Sequence, residues 1–282
     1  MTLRNRWRQA LSFVMLSLTG VCAVLAVMIL FAILGYLLYT GWRAVDWNFF
    51  TQLPKPPGET GGGMANAIVG SLEIVLLATV IGLPVGFLAG IYLSEFGGKT
   101  FAGLVRYTAD LLNGVPSIVI GIFAWSVVVK HTHQFSGFAG SFALSLILIP
   151  ITARSTEQFM STVPLTLREG ALALGASRWR MIATVVVPAA YRGIATGMIL
   201  GVARIAGETA PLIFTSGDNS HHSPFWNEPT LSLPLAIYLR ATGPYDDWHR
   251  QAFAAGMVLL LMVLLANIAA RLILSRGIAV QK

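Results

Sequence analysis

The residues with the clearest chemical potential are Arg204 and Glu208. They lie in Gly201-Val202-Ala203-Arg204-Ile205-Ala206-Gly207-Glu208-Thr209-Ala210-Pro211-Leu212, part of an otherwise apolar segment. An arginine offers a planar fork of donors matched to an oxyanion, and it stays charged. A carboxylate four residues on shares its helix face. It would partly neutralise the cation and could accept a hydrogen bond from a protonated oxyanion, so the anion is bound without being trapped. A purely structural ion pair that fixes helix packing is the other reading of the same spacing. Gly207 and Pro211 weaken a helix here, which would free backbone groups to line a cavity. Arg106 and Asp110 also share a helix face, and a local ion pair is the expectation for them. Glu73 is expected near a membrane surface, within reach of headgroups. His131-Thr132-His133 and His221-His222 lack acidic or cysteine company at suitable spacing, so no metal site is expected.

The elements that must position these charges are membrane helices. The chain has 282 residues, 55% hydrophobic and only 11% charged, against roughly 25% charged in soluble domains. A spanning helix needs about 20 mostly apolar residues. Six segments qualify, at about 11–39, 66–94, 103–129, 138–156, 191–215 and 251–273. The third is interrupted by Asn113-Gly114-Val115-Pro116, and the fifth carries Arg204 and Glu208. Arg4, Arg6 and Arg8 precede the first segment, which far exceeds the roughly 7–15 residues of a signal-peptide core. It is therefore read as a retained helix. The fold class is an all-α membrane protein with about six transmembrane helices.

The net charge of +7 follows membrane topology and gives no reason to expect nucleic acid. With the N-terminus in the cytoplasm, the inside segments hold thirteen basic residues: Arg4, Arg6, Arg8, Lys99, Arg106, Arg154, Arg168, Arg178, Arg180, Arg192, Arg271, Arg276 and Lys282. The outside segments hold five, namely Arg43, Lys55, Lys130, Arg240 and Arg250. That bias predicts both termini inside. The outside segments 41–65 and 216–250 are rich in Pro, Gly and aromatic residues and long enough to meet a protein partner. Cys22 is the only cysteine, so no internal disulfide can form. The organisation expected is an N-terminal helix and external loop over 1–65, a transmembrane domain over 66–273 and a cytoplasmic tail over 274–282.

Between the fourth and fifth segments lies an inside loop, about 157–190. Pro164 suits a helix start, and Leu167, Ala171 and Leu174 fall at helical spacing. Gly175 can end that helix, Ser177 can cap a second, and Pro188 is expected to end the second. With arginines at the bend, this helix pair should lie against the membrane face or in a partner's groove.

The loop resembles the cytoplasmic motif of ABC importer permeases: Glu-Ala-Ala, three residues, Gly, nine residues, Ile-x-Leu-Pro. Here Glu169, Gly170 and Ala171 are followed at the same spacing by Gly175 and by Val185-Val186-Val187-Pro188. Gly170 replaces the first Ala, and valines replace Ile and Leu. The resemblance implies a type I importer permease whose coupling helix docks on a nucleotide-binding subunit. The Arg204–Leu212 stretch, Gly114 to Gly121, Tyr92 to Phe96 and Ser232-Leu233-Pro234 resemble phosphate-specific ABC importer permeases. This implies that Arg204 and Glu208 belong to a phosphate path, with Ser117 and Thr209 as hydroxyl donors or, equally, as helix-packing groups.

The chain has no Gly-x4-Gly-Lys-Ser/Thr phosphate loop, so it is expected to be no enzyme and to bind no cofactor. ATP would be used by a partner, a dimer of the ABC ATPase subunit. The other expected partners are a second related permease, an external phosphate-binding protein, inorganic phosphate and membrane lipid, in a bacterial-type inner membrane. A permease for molybdate or sulfate is the alternative. An ion-driven secondary transporter, which leaves the coupling motif unexplained, and a membrane enzyme using the histidines are further ones.

Overall fold

A computed structural model describes residues 3–221 and 226–276. His222 and the end of the chain from 277, with Lys282, lie outside the described residues. The elements are α1 (Leu3–Trp42), α2 (Trp47–Thr51), α3 (Ala65–Glu95), α4 (Lys99–Gly114) and α5 (Ser117–Ala124). A π-helical turn, Trp125–Val129, continues α5 into α6 (Lys130–Thr132). Then come α7 (Gly137–Ser161), α8 (Leu165–Ala173), α9 (Arg178–Met181), a second π turn (Ile182–Val186), α10 (Val187–Ala206), α11 (Ala210–Ile213), α12 (Leu233–Ala241) and α13 (Asp246–Arg276). Among the described residues five helices are long and apolar enough to cross a membrane. A sixth crossing is a bent pair, Phe101–Gly114 with Ser117–Thr132, at 104°. The third segment is thus two helices meeting at a sharp corner. Pro116 supplies no N–H and disfavours helical backbone at Val115, which is extended (ψ 132°).

The core is built around α7, which is flanked by two glycine stripes. Gly82, Gly86 and Gly90 of α3 face it on one side, and Gly193, Gly197 and Gly201 of α10 on the other. A Cβ on Gly86 would sit 2.7 Å from the Ile149 carbonyl oxygen, and one on Gly201 would sit 3.0 Å from Leu148. In an apolar solvent, helices associate by close packing, which small residues at every fourth position allow. By contrast α1 is exposed along most of its length and leans on α13, where Tyr36 meets Phe253 edge-on at 5.6 Å.

The bundle has two distinct ends. One gathers the end of α3, the end of α7 and the α8–α9 pair. The opposite end gathers α2, the 52–64 loop, α12 and the first turns of α13 around Phe49, Met64 and Leu233.

Pro188 does not end the second helix of the loop. A helix runs from Arg178 to Ala206, with the π turn at Ile182–Val186 just before the proline. The wider turn absorbs the missing N–H and the ring that would otherwise strike the preceding turn.

Candidate functional site

The α8–α9 pair forms as its residues predict. Pro164 is the N-cap of α8. Gly175 adopts φ +83°, and Ala176 N–H donates to the Ala171 carbonyl at 3.2 Å, a closure that needs a left-handed residue. The Ser177 hydroxyl accepts from Arg180 N–H. No residue of α8 is buried; Leu174 is 90% exposed, Trp179 65% and Leu165 65%. Glu169 and Gly170 lie on the exposed side, while Ala171 packs against the cluster of Met160, Met181 and Val186.

This exposed pair is bolted to the spans behind it. Arg168 forms an ion pair with Glu95, whose side chain is only 6% exposed, and also donates to the Met160 carbonyl at 2.6 Å. Arg178 donates to the Glu95 carbonyl and lies over the Phe96 ring, which contacts Trp179 at 5.1 Å. Next to this, α4 is fastened to α7. Glu157, 11% exposed, pairs with Arg106 and, at 2.7 Å, with Arg154; Arg154 pairs with Asp110 at 2.9 Å. Arg106 also donates to the Leu93 carbonyl at 3.0 Å. The expected local pair between Arg106 and Asp110 is therefore not made. Their common face lies against α7, where Glu157 and Arg154 offer opposite charges in the matching order. The sequence signal for this cluster is Arg154 and Glu157 at i,i+3 on one helix; that α4 meets their face is decided by packing.

The second part of the site is a pair of helix breaks. After Ala206, Gly207 N–H bonds back to the Arg204 carbonyl and Glu208 N–H to that of Ile205, and the chain restarts at Ala210. The fifth segment thus ends as a long helix nine residues before its expected limit of 215. Arg204 and Glu208 fall on opposite sides of the break, so the i,i+4 register is lost and they form no ion pair. Among the described residues neither finds another charged partner. Arg204 is exposed at the middle of the bundle, three residues beyond Gly201, which rests on Leu148 in the centre of α7. Glu208 and Thr209 are half-buried.

The other break stands close by. Gly121 of α5 presses on the α11 turn so tightly that a Cβ there would lie 2.6 Å from Pro211 Cα. Ile120, Ile205 and Leu212 share one buried cluster with Ile74 and Leu148. Ser117, half-buried, opens α5, a helix start whose first N–H groups lack intrahelical acceptors. The structure thus brings together the helices carrying Ser117, Arg204, Glu208 and Thr209. It places Glu169, Gly170, Ala171 and Gly175 on the α8–α9 pair at one end of the bundle, with Pro188 near the base of α10. Glu73 is half-buried on α3, and among the described residues no three His, Cys, Asp or Glu side chains converge on a metal-sized site.

A transport protein of the importer-permease class is what this fold and sequence define. Residues 82–277 match the family described as binding-protein-dependent transport system inner membrane component, and the chain belongs to that family. It is similar to the phosphate transport system permease protein PstA of Haemophilus influenzae (44% identical, covering 96% of each chain) and to that of Yersinia pestis (42% identical, covering 97% of this chain and 93% of the other). In fold it is similar to the permease of the MetNI methionine ABC transporter in inward-facing form. That match has a TM-score of 0.57 at 17% identity, over 75% of this chain and 93% of the other.

Proposed function

We propose that this chain is a pore-forming subunit of an ATP-driven importer of inorganic phosphate. The observation that carries the reading is the exposed, unpaired Arg204 halfway along the bundle, beside a broken helix. A guanidinium at that depth is not left facing hydrocarbon. It faces a water-filled path, completed by a second related permease. Glu208 and the hydroxyls of Ser117 and Thr209 line the same path. Phosphate as cargo is supported by the names of the relatives that cover nearly the whole chain.

The α8–α9 pair is the contact for an ATPase dimer, which makes that end cytoplasmic and puts both termini inside. The exposed Leu165, Leu174 and Trp179 fill a groove on the ATPase, and Arg168 and Glu95 pass its closure to α3. The Glu157 pairs carry it on to α4, whose far end is the Val115-Pro116 corner. The opposite end faces an external phosphate-binding protein. The chain itself holds no cofactor and hydrolyses no ATP.

The test is phosphate uptake in a bacterial strain lacking its own phosphate permease, with the partner subunits co-expressed. Uptake that needs an active ATPase supports the reading; uptake that survives ATP depletion but follows an ion gradient overturns it. Glu208→Gln tests the substrate. A carboxylate accepts a hydrogen bond from a protonated phosphate and rejects fully ionised sulfate, so this variant is expected to become sensitive to sulfate competition by about tenfold, the size of one lost charge-assisted bond.

A further inference from the structure

At the end of the bundle opposite the coupling pair, segments distant in sequence enclose a cavity of about 650 Å³. Its walls include Pro54, Pro56, Pro57, Leu239 and His221; its charged groups are Lys55, Arg240 and one acid, Asp218. Arg240 is the centre. Its Nη1 donates to Gln251 Oε1 at 2.6 Å, and its guanidinium lies over the Trp248 ring at 4.8 Å. Gln251 is itself fixed, donating to the Gly61 carbonyl at 3.0 Å and to Asp247 Oδ2 at 2.9 Å. The guanidinium therefore cannot swing away. Burial pushes Arg240 below its usual pKa, with Asp218 and Asp247 pulling it back. Yet among the described residues no carboxylate lies within ion-pair distance of it. Among the described residues one of its five donors is satisfied. Lys55 gives one bond, to the Thr60 carbonyl, and keeps two N–H groups. The cavity thus presents a guanidinium held in place, beside a lysine, with donors left over among the described residues.

We infer that this cavity receives an Asp or Glu side chain carried on a loop of the external phosphate-binding protein. The inference rests on the importer reading above. Size and wall chemistry choose the occupant. The volume is in the ~300–1,000 Å³ range that suits a drug-sized group, several times what one tetrahedral ion fills. Proline and leucine walls do not solvate a free dianion, whereas a carboxylate on a partly apolar loop satisfies both fork and walls. An Arg stacked on Trp within a proline-stiffened rim is the composition of an interface anchor, and its rigidity lowers the cost of ordering on association.

The experiment uses the complete transporter in lipid vesicles, with ATP hydrolysis followed as phosphate-loaded binding protein is titrated. Arg240→Gln is expected to raise the half-saturating concentration of binding protein about tenfold, leave the maximal rate unchanged and flatten its salt dependence. Lys55→Gln, on an exposed loop and without effect on the core, should raise it about threefold. Arg240→Lys should fall between wild type and Arg240→Gln. An unshifted half-saturation in both Arg240→Gln and Lys55→Gln overturns the docking site alone. A shift in the phosphate dependence at saturating binding protein overturns it in favour of a free-ion site. A fall in maximal rate at unchanged half-saturation overturns it in favour of a structural role. A wild-type complex that does not respond to loaded binding protein overturns the importer reading and the docking site together.

Discussion

Two groups of charges in this protein are treated in opposite ways. At the end that carries the α8–α9 pair, Glu95, Arg106, Asp110, Arg154, Glu157 and Arg168 close on one another across α3, α4, α7 and α8. Halfway along the bundle Arg204 and Glu208 pair with no opposite charge among the described residues. On the function proposed above, the difference follows from what each group does. Charges that hold helices in a fixed relation are stabilised by pairing and gain from burial only when paired. Charges that meet a passing anion must keep their donors and acceptors free. A helix break achieves this by moving Glu208 out of reach of Arg204, at the expense of two interrupted backbone ladders.

The contrast can be broken by substitution. Arg204→Gln should leave thermal stability of the complex unchanged and lower phosphate uptake at least about a hundredfold, since a bidentate charge-assisted contact is worth about 3 kcal/mol. A stability loss with normal uptake would reverse the assignment of the two groups. Glu157→Ala should do the opposite. It strands Arg106 and Arg154, and because both are more than a third exposed the cost should be about 2 kcal/mol, less than the 3–5 of a fully buried pair; Glu157→Asp should restore part of it, as read in thermal unfolding. Asp110, 55% exposed, sharpens the point, since Asp110→Asn should cost under about 1 kcal/mol. The smallest effect is expected at Gly170. A Cβ there meets nothing within 4 Å, so Gly170→Ala should stabilise α8 by about 0.5–1 kcal/mol and keep ATP-driven uptake.

Much of the coupling segment was legible because its signals are local. Gly175 needs a positive φ, Ser177 caps the next turn, and the Glu169-to-Pro188 spacing fixes a helix pair between two spans. Pro188 was misread because a local rule says that proline ends a helix, while a π turn one step earlier lets the helix continue. The Gly207 and Pro211 weakening was visible, but the i,i+4 argument for Arg204 and Glu208 assumed a continuous helix that those same residues interrupt. Arg106 and Asp110 share a face as expected, yet that face belongs to α7. Glu157 carried one local signal, its i,i+3 spacing from Arg154, but that spacing does not say which helix meets the face.

By itself the sequence determined that the chain is a bundle of membrane helices, where its charged residues fall along them, and that one loop forms a helix pair. These follow from hydropathy, spacing and turn chemistry, each a property of neighbouring residues. Only the tertiary structure decided which charges are paired. Whether an arginine in an apolar segment is neutralised depends on which faces meet after packing. Here the glycine stripes around α7 and the corner at Val115-Pro116 bring Glu157 to Arg106 and leave Arg204 without a charged partner among the described residues.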